Sequence, residues 1–344
     1  MRIWLINAWE PLAWIGSKQR PLRTTLLARA LIAEKHEVTW FTSTFDHMTK
    51  TPRPHSQPIE TLPGGLNVVY LEGMPYKRNI GLARIRNHYQ LGKAFNRVAP
   101  GLAKPEVILC PSTQLELSCG AIAYANKRHV PVVIDIRDWW PETFYLTAPK
   151  ATQRLAKIAC WPYEVLIRKA CRGATAITAI TEEFVNWGLA KAGRARKPFD
   201  RAFPHAYPAA PAPAAELAAA EKFWSEHNVG TAADELVCTF IGGVSHLLEV
   251  TAVLEAARLL EQKFPKAKFV VCGGGDRLDG FRKQYADLDN IVWPGFINHA
   301  QIQTLLRKSC LGINPLRDRP DFLARACPKK SDFGICIRRN DRAH

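Results

Sequence analysis

The sequence lacks the patterns by which several protein classes announce themselves. Its apolar runs, such as residues 130–134, fall far short of the roughly 20 residues a membrane-spanning helix needs. The apolar opening over residues 3–9 is cut by Glu10-Pro11, so neither a signal peptide nor a span is expected. Nine cysteines stand at irregular spacings without a Cys-x-x-Cys pair, and no His-Glu-x-x-His or Cys/His cluster has the spacing of a metal site. A reducing cytoplasm and no structural metal are therefore the expectation. The absence of a Gly-x-x-x-x-Gly-Lys-Ser/Thr loop argues against a P-loop NTPase. No Gly-x-Gly-x-x-Gly follows the first apolar strand, which argues against a dehydrogenase. No helix-turn-helix, zinc or aromatic-strand module is recognisable, so nucleic acid is not an expected partner.

Acidic residues are also scarce in one half of the chain. Residues 1–204 hold 29 Lys+Arg against 15 Asp+Glu, whereas residues 205–344 hold 18 against 16, so nearly all of the net charge of +16 sits in the first half. Such a field attracts polyanions, among which phosphorylated substrates and an anionic membrane surface fit a chain without nucleic-acid modules. At 344 residues and 47% hydrophobic content, there is material for two domains, each with its own core.

Short strands that are apolar throughout alternate with helical patterns. Strands are expected at 1–7, 37–42, 66–71, 106–109, 131–136 and 174–178, and helices at 21–34, 81–98, 114–128, 152–171 and 182–192. Strands buried on both faces and separated by helices indicate a doubly wound parallel sheet. Between 204 and 220 four prolines in an Ala-rich stretch forbid a continuous helix and favour an extended linker. The alternation then restarts, with strands at 236–241, 268–272, 290–293 and 310–314 and helices at 246–263, 278–285 and 300–308. The expected organisation is an N-terminal Rossmann-like domain over 1–203, a linker over 204–220, and a second, incomplete Rossmann-like domain over 221–330.

In open parallel sheets, ligands bind outside the carboxyl ends of the strands. Gly242-Gly243 and Gly273-Gly274-Gly275 each follow a β-rich run directly, where glycine lets backbone approach a phosphate or, equally, another loop. In the first half, the buried strand of VVIDIRDWWPE (residues 132–142) ends in two carboxylates, Asp135 and Asp138, with Arg137 between them.

That block resembles the Asp-Ile-Arg-Asp-x-Trp-Pro-Glu element of the retaining family-4 glycosyltransferases of GT-B type, in particular a bacterial branch that transfers amino sugars such as fucosamine. MRIWLINAWEP, RPLRTTLLARAL, HEVTWFTSTFDH and TAITAITEEFVNW in the first half are similar to the same branch, as are FIGG, FVVCGGGD, NIVWPGFI and GINPL in the second. The likeness covers about residues 1–330 and lies in the order of many blocks. It implies two Rossmann-like domains facing a cleft, with a nucleotide sugar, UDP-linked, against the second and a lipid-linked or glycan acceptor against the first. By the same resemblance Gly242 and Gly243 flank the donor diphosphate, Gly273, Gly274 and Gly275 form the neighbouring loop, and Phe296-Ile297 lie near the base. Asp138 contacts the reacting sugar or acceptor, or else caps a helix or pairs with Arg137. Gly16, Lys18, Arg20 and Arg23 match a phosphate-contacting loop. No metal or other cofactor is implied, and a peripheral position on the anionic inner membrane face would bring the enzyme to its acceptor. A nucleotide-sugar epimerase of similar architecture and a non-enzymatic basic binding protein remain the alternatives.

The pattern departs from the family near its end. After Pro328-Lys329-Lys330 the usual run with its Glu-x7-Glu pair is missing, the only carboxylates being Asp332 and Asp341, and Lys330 is left as the matching diphosphate cation. Gly243 is followed by Val244-Ser245-His246 instead of the common Gly-Arg with a downstream Lys. Residues 331–344 show neither a strand period nor a helical stripe. The expectation is therefore of a truncated domain whose sheet ends at 310–314 with an exposed strand edge, of reduced stability, and with little or no transferase activity.

Overall fold

A computed structural model describes residues 1–14, 21–77, 81–146, 148–205, 211–244 and 248–315, together with the backbone of 335–337. The chain divides into two compact units, Met1–Pro208 and Ala209–His344.

The first unit runs β1 (Arg2–Ile6), α1 (Arg23–Ala33), β2 (Glu37–Ser43), a small hairpin of β3 (Phe45–Asp46) and β4 (Thr51–Pro52), then β5 (Ile59–Leu62), β6 (Leu66–Leu71) and α2 (Leu82–Val98). It continues with β7 (Val107–Pro111), α3 (Leu115–Lys127), β8 (Val132–Ile136), α4 (Glu142–Leu146), α5 (Gln153–Ala159), α6 (Trp161–Gly173), β9 (Ala176–Ala179), α7 (Glu182–Ala192) and β10 (Arg201–Ala202). Eight strands form one sheet in the order β10-β9-β8-β7-β1-β2-β6-β5, parallel except for the edge strand β5. Alternate side chains of each strand feed two different cores. Ile3 and Leu5 pack with Val38, Trp40 and Ala28 on the α1 face, whereas Trp4 and Ile6 pack with Phe41, Leu91, Phe95, Ile108 and Ile134 on the other. This double burial is why the strands read as unbroken apolar runs.

The long helix expected over 152–171 is split at Cys160, because Pro162 lies in the first turn of α6 and has no N–H to continue the ladder of α5. Helix α7 obeys its sequence signals at both ends: Thr181 accepts from the Phe184 N–H, and Gly193 ends it in the left-handed region at φ 63°.

The second unit contains α8 (Ala214–Glu226), β11 (Leu236–Ile241), α9 (Val250–Lys263), β12 (Ala267–Cys272), α10 (Leu278–Gln284), β13 (Ile291–Gly295), α11 (His299–Lys308), β14 (Leu311–Ile313) and β15 (Ile335–Ile337). Its sheet order is β13-β12-β11-β14-β15, with only β15 antiparallel. Cys238 and Phe240 join the core under α9 and α10, while Val237, Val270 and Cys272 pack with Trp224 of α8 and Leu305 of α11. Helix α11 opens with a capping box in which Asn298 accepts from the Gln301 N–H and the Gln301 side chain accepts from the Asn298 N–H.

Two expectations change here. The stretch 204–220 is not extended to its end: α8 begins at Ala214, directly after the last proline, because AAELAAAEKFW contains only good or tolerable helix formers. Its Ala220 and Leu217 pack with Ala300, and the Trp224 indole N–H donates to the Gln301 carbonyl at 2.9 Å. Nor does the sheet end at β14, since Ile335–Ile337 pair antiparallel with it, Leu311 opposite Ile337. Three residues are too few to show a period in sequence, but they suffice to occupy the ladder of a strand of the same length.

Candidate functional site

In the first unit β1 lies between β7 and β2, so the chain order reverses beside it, the place at which open parallel sheets take their ligands; the Ala8 N–H after β1 donates there to the Gln114 side chain after β7 at 3.2 Å. A buried ion network forms the floor beneath the loops at this edge. Asp135, 1% exposed at the end of β8, accepts from Arg23 through both carboxylate oxygens (2.9 and 3.0 Å), from Arg137 Nε at 2.8 Å and from the Thr178 hydroxyl at 2.9 Å. Arg137 also donates to Glu10, whose other carboxylate oxygen accepts from the Thr24 N–H at 2.8 Å in the first turn of α1. Burial by itself would raise the Asp135 carboxyl, but Arg137 and Arg23 outweigh it and hold the group below the ordinary carboxylate range. Each cation is met by an anion and each anion by further donors, which is the condition for burying such charge.

Asp138 differs from its neighbour. It remains open to solvent on one side, and among the described residues it takes no hydrogen bond; crowding by protein on its other sides pushes its carboxyl above the ordinary value, against the opposing charges of Arg137, His205 and Arg84. Arg137 is committed to Asp135 and Glu10, so Asp138 is not its partner. Glu142, the last carboxylate of the same block, is tied to Lys191 (2.6 Å) and to the Trp187 indole N–H (3.0 Å). Of the three carboxylates, Asp138 alone faces outward with an acceptor to offer.

Aromatic and basic side chains from neighbouring loops gather at the same edge. Trp9, after β1, stacks on His47 at 4.8 Å and carries the Arg84 guanidinium over its ring at 4.2 Å. His47 Nδ1 lies 2.6 Å from the Tyr76 hydroxyl and 3.2 Å from the Lys50 ammonium; because an ammonium can only donate, this nitrogen is unprotonated. Burial, then Lys50 and Arg84, lowers the His47 pKa to about 4, in agreement. His88 on α2 lies 3.5 Å from Glu116 at the start of α3. Among the described residues the Trp9 indole N–H, the Ser112 hydroxyl and the Gln114 amide nitrogen are buried without a hydrogen-bond partner. Polar groups left so at a sheet edge are groups a ligand or water can satisfy.

The second unit builds its strand-end loops from backbone. Gly242 N–H donates to the Cys272 carbonyl (3.0 Å), Val244 N–H to that of Gly274 (2.9 Å) and Gly273 N–H to that of Gly295 (2.7 Å), stitching three loops side by side. A Cβ on Gly273 (φ 120°) would stand 2.0 Å from the Gly242 carbonyl oxygen, and one on Gly275 (φ 158°) 2.1 Å from that of Val244. These two glycines are required by neighbouring backbone, so loop packing accounts for them without a ligand. Gly243 is different, for its missing Cβ faces open space.

Gly242, Gly243, Gly273, Gly274, Gly275 and Ile297 are thus brought to one end of the second sheet, and Asp138 belongs to the first. Gly16, Arg20 and Lys330 lie outside the described residues, as does Lys18. Arg23, expected beside them to meet phosphate, instead donates to Asp135 and to the Phe203 carbonyl (2.7 Å), while Glu10 holds the α1 N-terminus. Ile297 is half-buried against the core that contains Trp224 and Leu305, whereas Phe296 is 87% exposed over Gly274. Sequence reasoning missed Arg277, just after the glycine loop. Its guanidinium lies 4.4 Å over the Phe281 ring, and its Nη1 is buried without a hydrogen-bond partner among the described residues. The run Gly-Gly-Gly-Asp-Arg was the available signal. Among the described residues no three His, Cys, Asp or Glu side chains converge as a metal site, and no helix is long and apolar enough to cross a membrane.

Residues 22–200 match the family described as glycosyl transferase 4-like domain, and residues 223–317 match glycosyl transferases group 1. No curated protein sequence matches the chain. In fold, the chain is similar to the catalytic domain of starch synthase IV from Arabidopsis thaliana bound to ADP and acarbose (13% identity, TM-score 0.61, 93% of this chain and 78% of that one). It is similar to Anabaena Alr3699/HepE in complex with UDP and glucose (14%, 0.54, 91% and 74%) and to WaaG, a glycosyltransferase involved in lipopolysaccharide biosynthesis (12%, 0.56, 92% and 75%). The architecture is thus α/β of GT-B type, with parallel sheets in two Rossmann-like units.

Proposed function

The chain belongs to the glycosyl transferase 4-like family, with a group 1 domain behind the 4-like one, and from that premise we propose that it is a retaining transferase moving a hexosyl or amino-sugar residue, fucosamine-like, from a UDP-linked donor to a lipid-linked glycan acceptor in surface-polysaccharide synthesis. The observation that carries the site assignment is the contrast within residues 132–142: Asp135 and Glu142 are bound internally, and Asp138 is left outward within reach of the charges of Arg84 and His205. A similar structure holding UDP and glucose, and another serving lipopolysaccharide biosynthesis, agree with the donor class and process proposed.

On this reading the donor diphosphate rests on Gly242 and Gly243, with Arg277 as its cation and Phe296 beside the base. Gly16, Arg20 and Lys330 are further phosphate contacts in the proposal. The bond between the anomeric carbon and the diphosphate oxygen lengthens first, giving an oxocarbenium-like sugar. Backbone and Arg277 meet the charge that grows on the leaving phosphate. The acceptor hydroxyl adds on the same face, its proton passes to the departing diphosphate, and the configuration is retained. Asp138 holds a hydroxyl of the acceptor or of the sugar and needs no proton transfer of its own. The enzyme would work at the cytoplasmic face of an anionic membrane, where lipid-linked acceptors are presented.

Calorimetric titration with UDP, paired with a donor-turnover assay, tests this reading. Arg277→Ala should weaken UDP binding about tenfold, the order expected for one charge-assisted contact. Asp138→Asn should leave UDP affinity unchanged and lower about 100-fold the reduced turnover expected of a chain without the Glu-x7-Glu pair. Asp138→Asn turning over at the wild-type rate would remove Asp138 from the site, and a wild-type chain that does not bind UDP would remove the donor assignment.

A further inference from the structure

We propose that the outer face of α5 and the first turns of α6 is a membrane-docking surface that recognises anionic phospholipid headgroups. The proposal deepens the lipid-linked-acceptor reading given above, but the docking itself stands on separate observations. Leu155, Ile158, Trp161 and Val165 follow one another at intervals of three or four residues and are 69%, 71%, 65% and 48% exposed. Helix α6 already has an inward stripe, Ile167, Ala170 and Cys171, all buried against the sheet, and α5 buries no residue at all. The outer stripe is therefore surplus to folding, and four large apolar side chains in a row form a patch of the kind that marks interaction surfaces.

The charge around the patch selects the occupant. Residues 148–173 contain six Lys or Arg and a single acid, Glu164. That acid already holds Lys191 at 2.7 Å and Arg168 at 2.6 Å. A second copy of the chain would set one basic face against another, whereas anionic headgroups complement it while the apolar stripe enters the acyl boundary. The position also suits an acceptor carried by lipid. The Tyr163 ring in the first turn of α6 packs edge-on against Trp140, two residues after Asp138, at 5.3 Å, so the start of α6 stands beside the segment from which Asp138 projects; the charge of Arg84, on α2, reaches both Asp138 and Tyr163. Leu82, the first residue of α2 and 84% exposed, extends apolar surface at that edge.

The test is co-sedimentation of the full chain with phosphatidylcholine vesicles with and without phosphatidylglycerol, at low and high salt. Binding should require phosphatidylglycerol and fall with salt. Replacing Leu155, Ile158 and Trp161 together by Ser should lower the vesicle affinity at least tenfold, with Tm and UDP affinity unchanged. Arg154→Glu with Lys157→Glu supplies a second variant that leaves the apolar stripe alone, and each lost basic charge should cost about fivefold. Wild-type binding that ignores phosphatidylglycerol, or variants that both bind as the wild type does, would overturn the proposal. So would a wild-type dimer that avoids vesicles and is split by the Ser variant, which would assign the face to a contact between copies. Failure of UDP binding with vesicle binding intact would instead strike the transferase reading.

Discussion

The two units organise the carboxyl edges of their sheets by opposite means. In the first unit the floor beneath the strand-end loops is made of side chains: Glu10, Arg137, Asp135 and Arg23 form a chain of charge that fixes β1, α1, β8 and the segment after β10 relative to one another. In the second, backbone does the fixing, with three loops hydrogen-bonded carbonyl to amide and glycines where no Cβ fits. Side-chain networks fix geometry strongly but fail as a whole when one charge is removed. Stitched backbone tolerates changes of charge and fails on the addition of a single methyl. The difference matches the ligands proposed for each unit, a diphosphate that takes backbone contacts in the second and varied sugar hydroxyls that need side chains in the first.

The contrast can be broken most sharply at Asp135. Asp135→Ala leaves Arg23 and Arg137 buried without their shared anion and should cost about 3–5 kcal/mol in urea unfolding of the first unit, while UDP affinity in native buffer stays within twofold, about the scatter of such effects. A comparable loss on Asp135→Asn would show that charge, rather than shape, holds the floor together. For the second unit, Gly273→Ala should cost about 1–3 kcal/mol, because its Cβ meets a backbone oxygen that cannot move aside, whereas Gly243→Ala should leave Tm unchanged and act on UDP binding alone. Equal Tm values for both variants would remove the distinction between structural and ligand-facing glycines.

Acid separates the units by a further route. Asp200, its side chain fully buried, accepts from Arg194 through both oxygens and from the Ile177 and Lys197 N–H groups. Burial opposes these contacts, but Arg194 and the two amides win and lower its pKa to about 2. A depressed carboxyl stabilises the fold fully above its unfolded value near 4, and that contribution, about 2 kcal/mol, disappears as pH falls from about 4 to about 2. Asp135, also depressed, adds in the same direction. In the second unit the depressed carboxyls, Asp234 and Asp287, are exposed and contribute little. Hydrogen exchange at stepped pH should therefore show β8, β9 and α7 losing protection before β11 and β12; the reverse order would show that another element limits acid stability.

Some of this was legible in the sequence. The expected limits of β6, β11 and α7 agree with the structure residue for residue, because each is bounded by turn or cap signals that act locally. The boundary inside 152–171 could be read from Pro162, yet the apolar run around it argued for continuity. Composition alone made Asp135 and Asp138 two carboxylates flanking an arginine, and only the family resemblance singled out Asp138, since their opposite surroundings depend on Arg23 and Glu10, more than 100 residues away in sequence. Arg23 itself matched a phosphate-contacting loop and is a half-buried cation paired with Asp135, for the same reason.

Sequence alone determined the alternation of strand and helix, the two-unit plan, the family and the placing of glycines after β11 and β12, because periodicity, turn chemistry and motif order are properties of neighbouring residues. Tertiary structure decided which charges are floor and which are free, which glycines answer to backbone and which to open space, and which apolar stripe is left uncovered. Those outcomes depend on what distant segments bring within a few ångströms, where desolvation and hydrogen bonding, not residue type, set the state of a group.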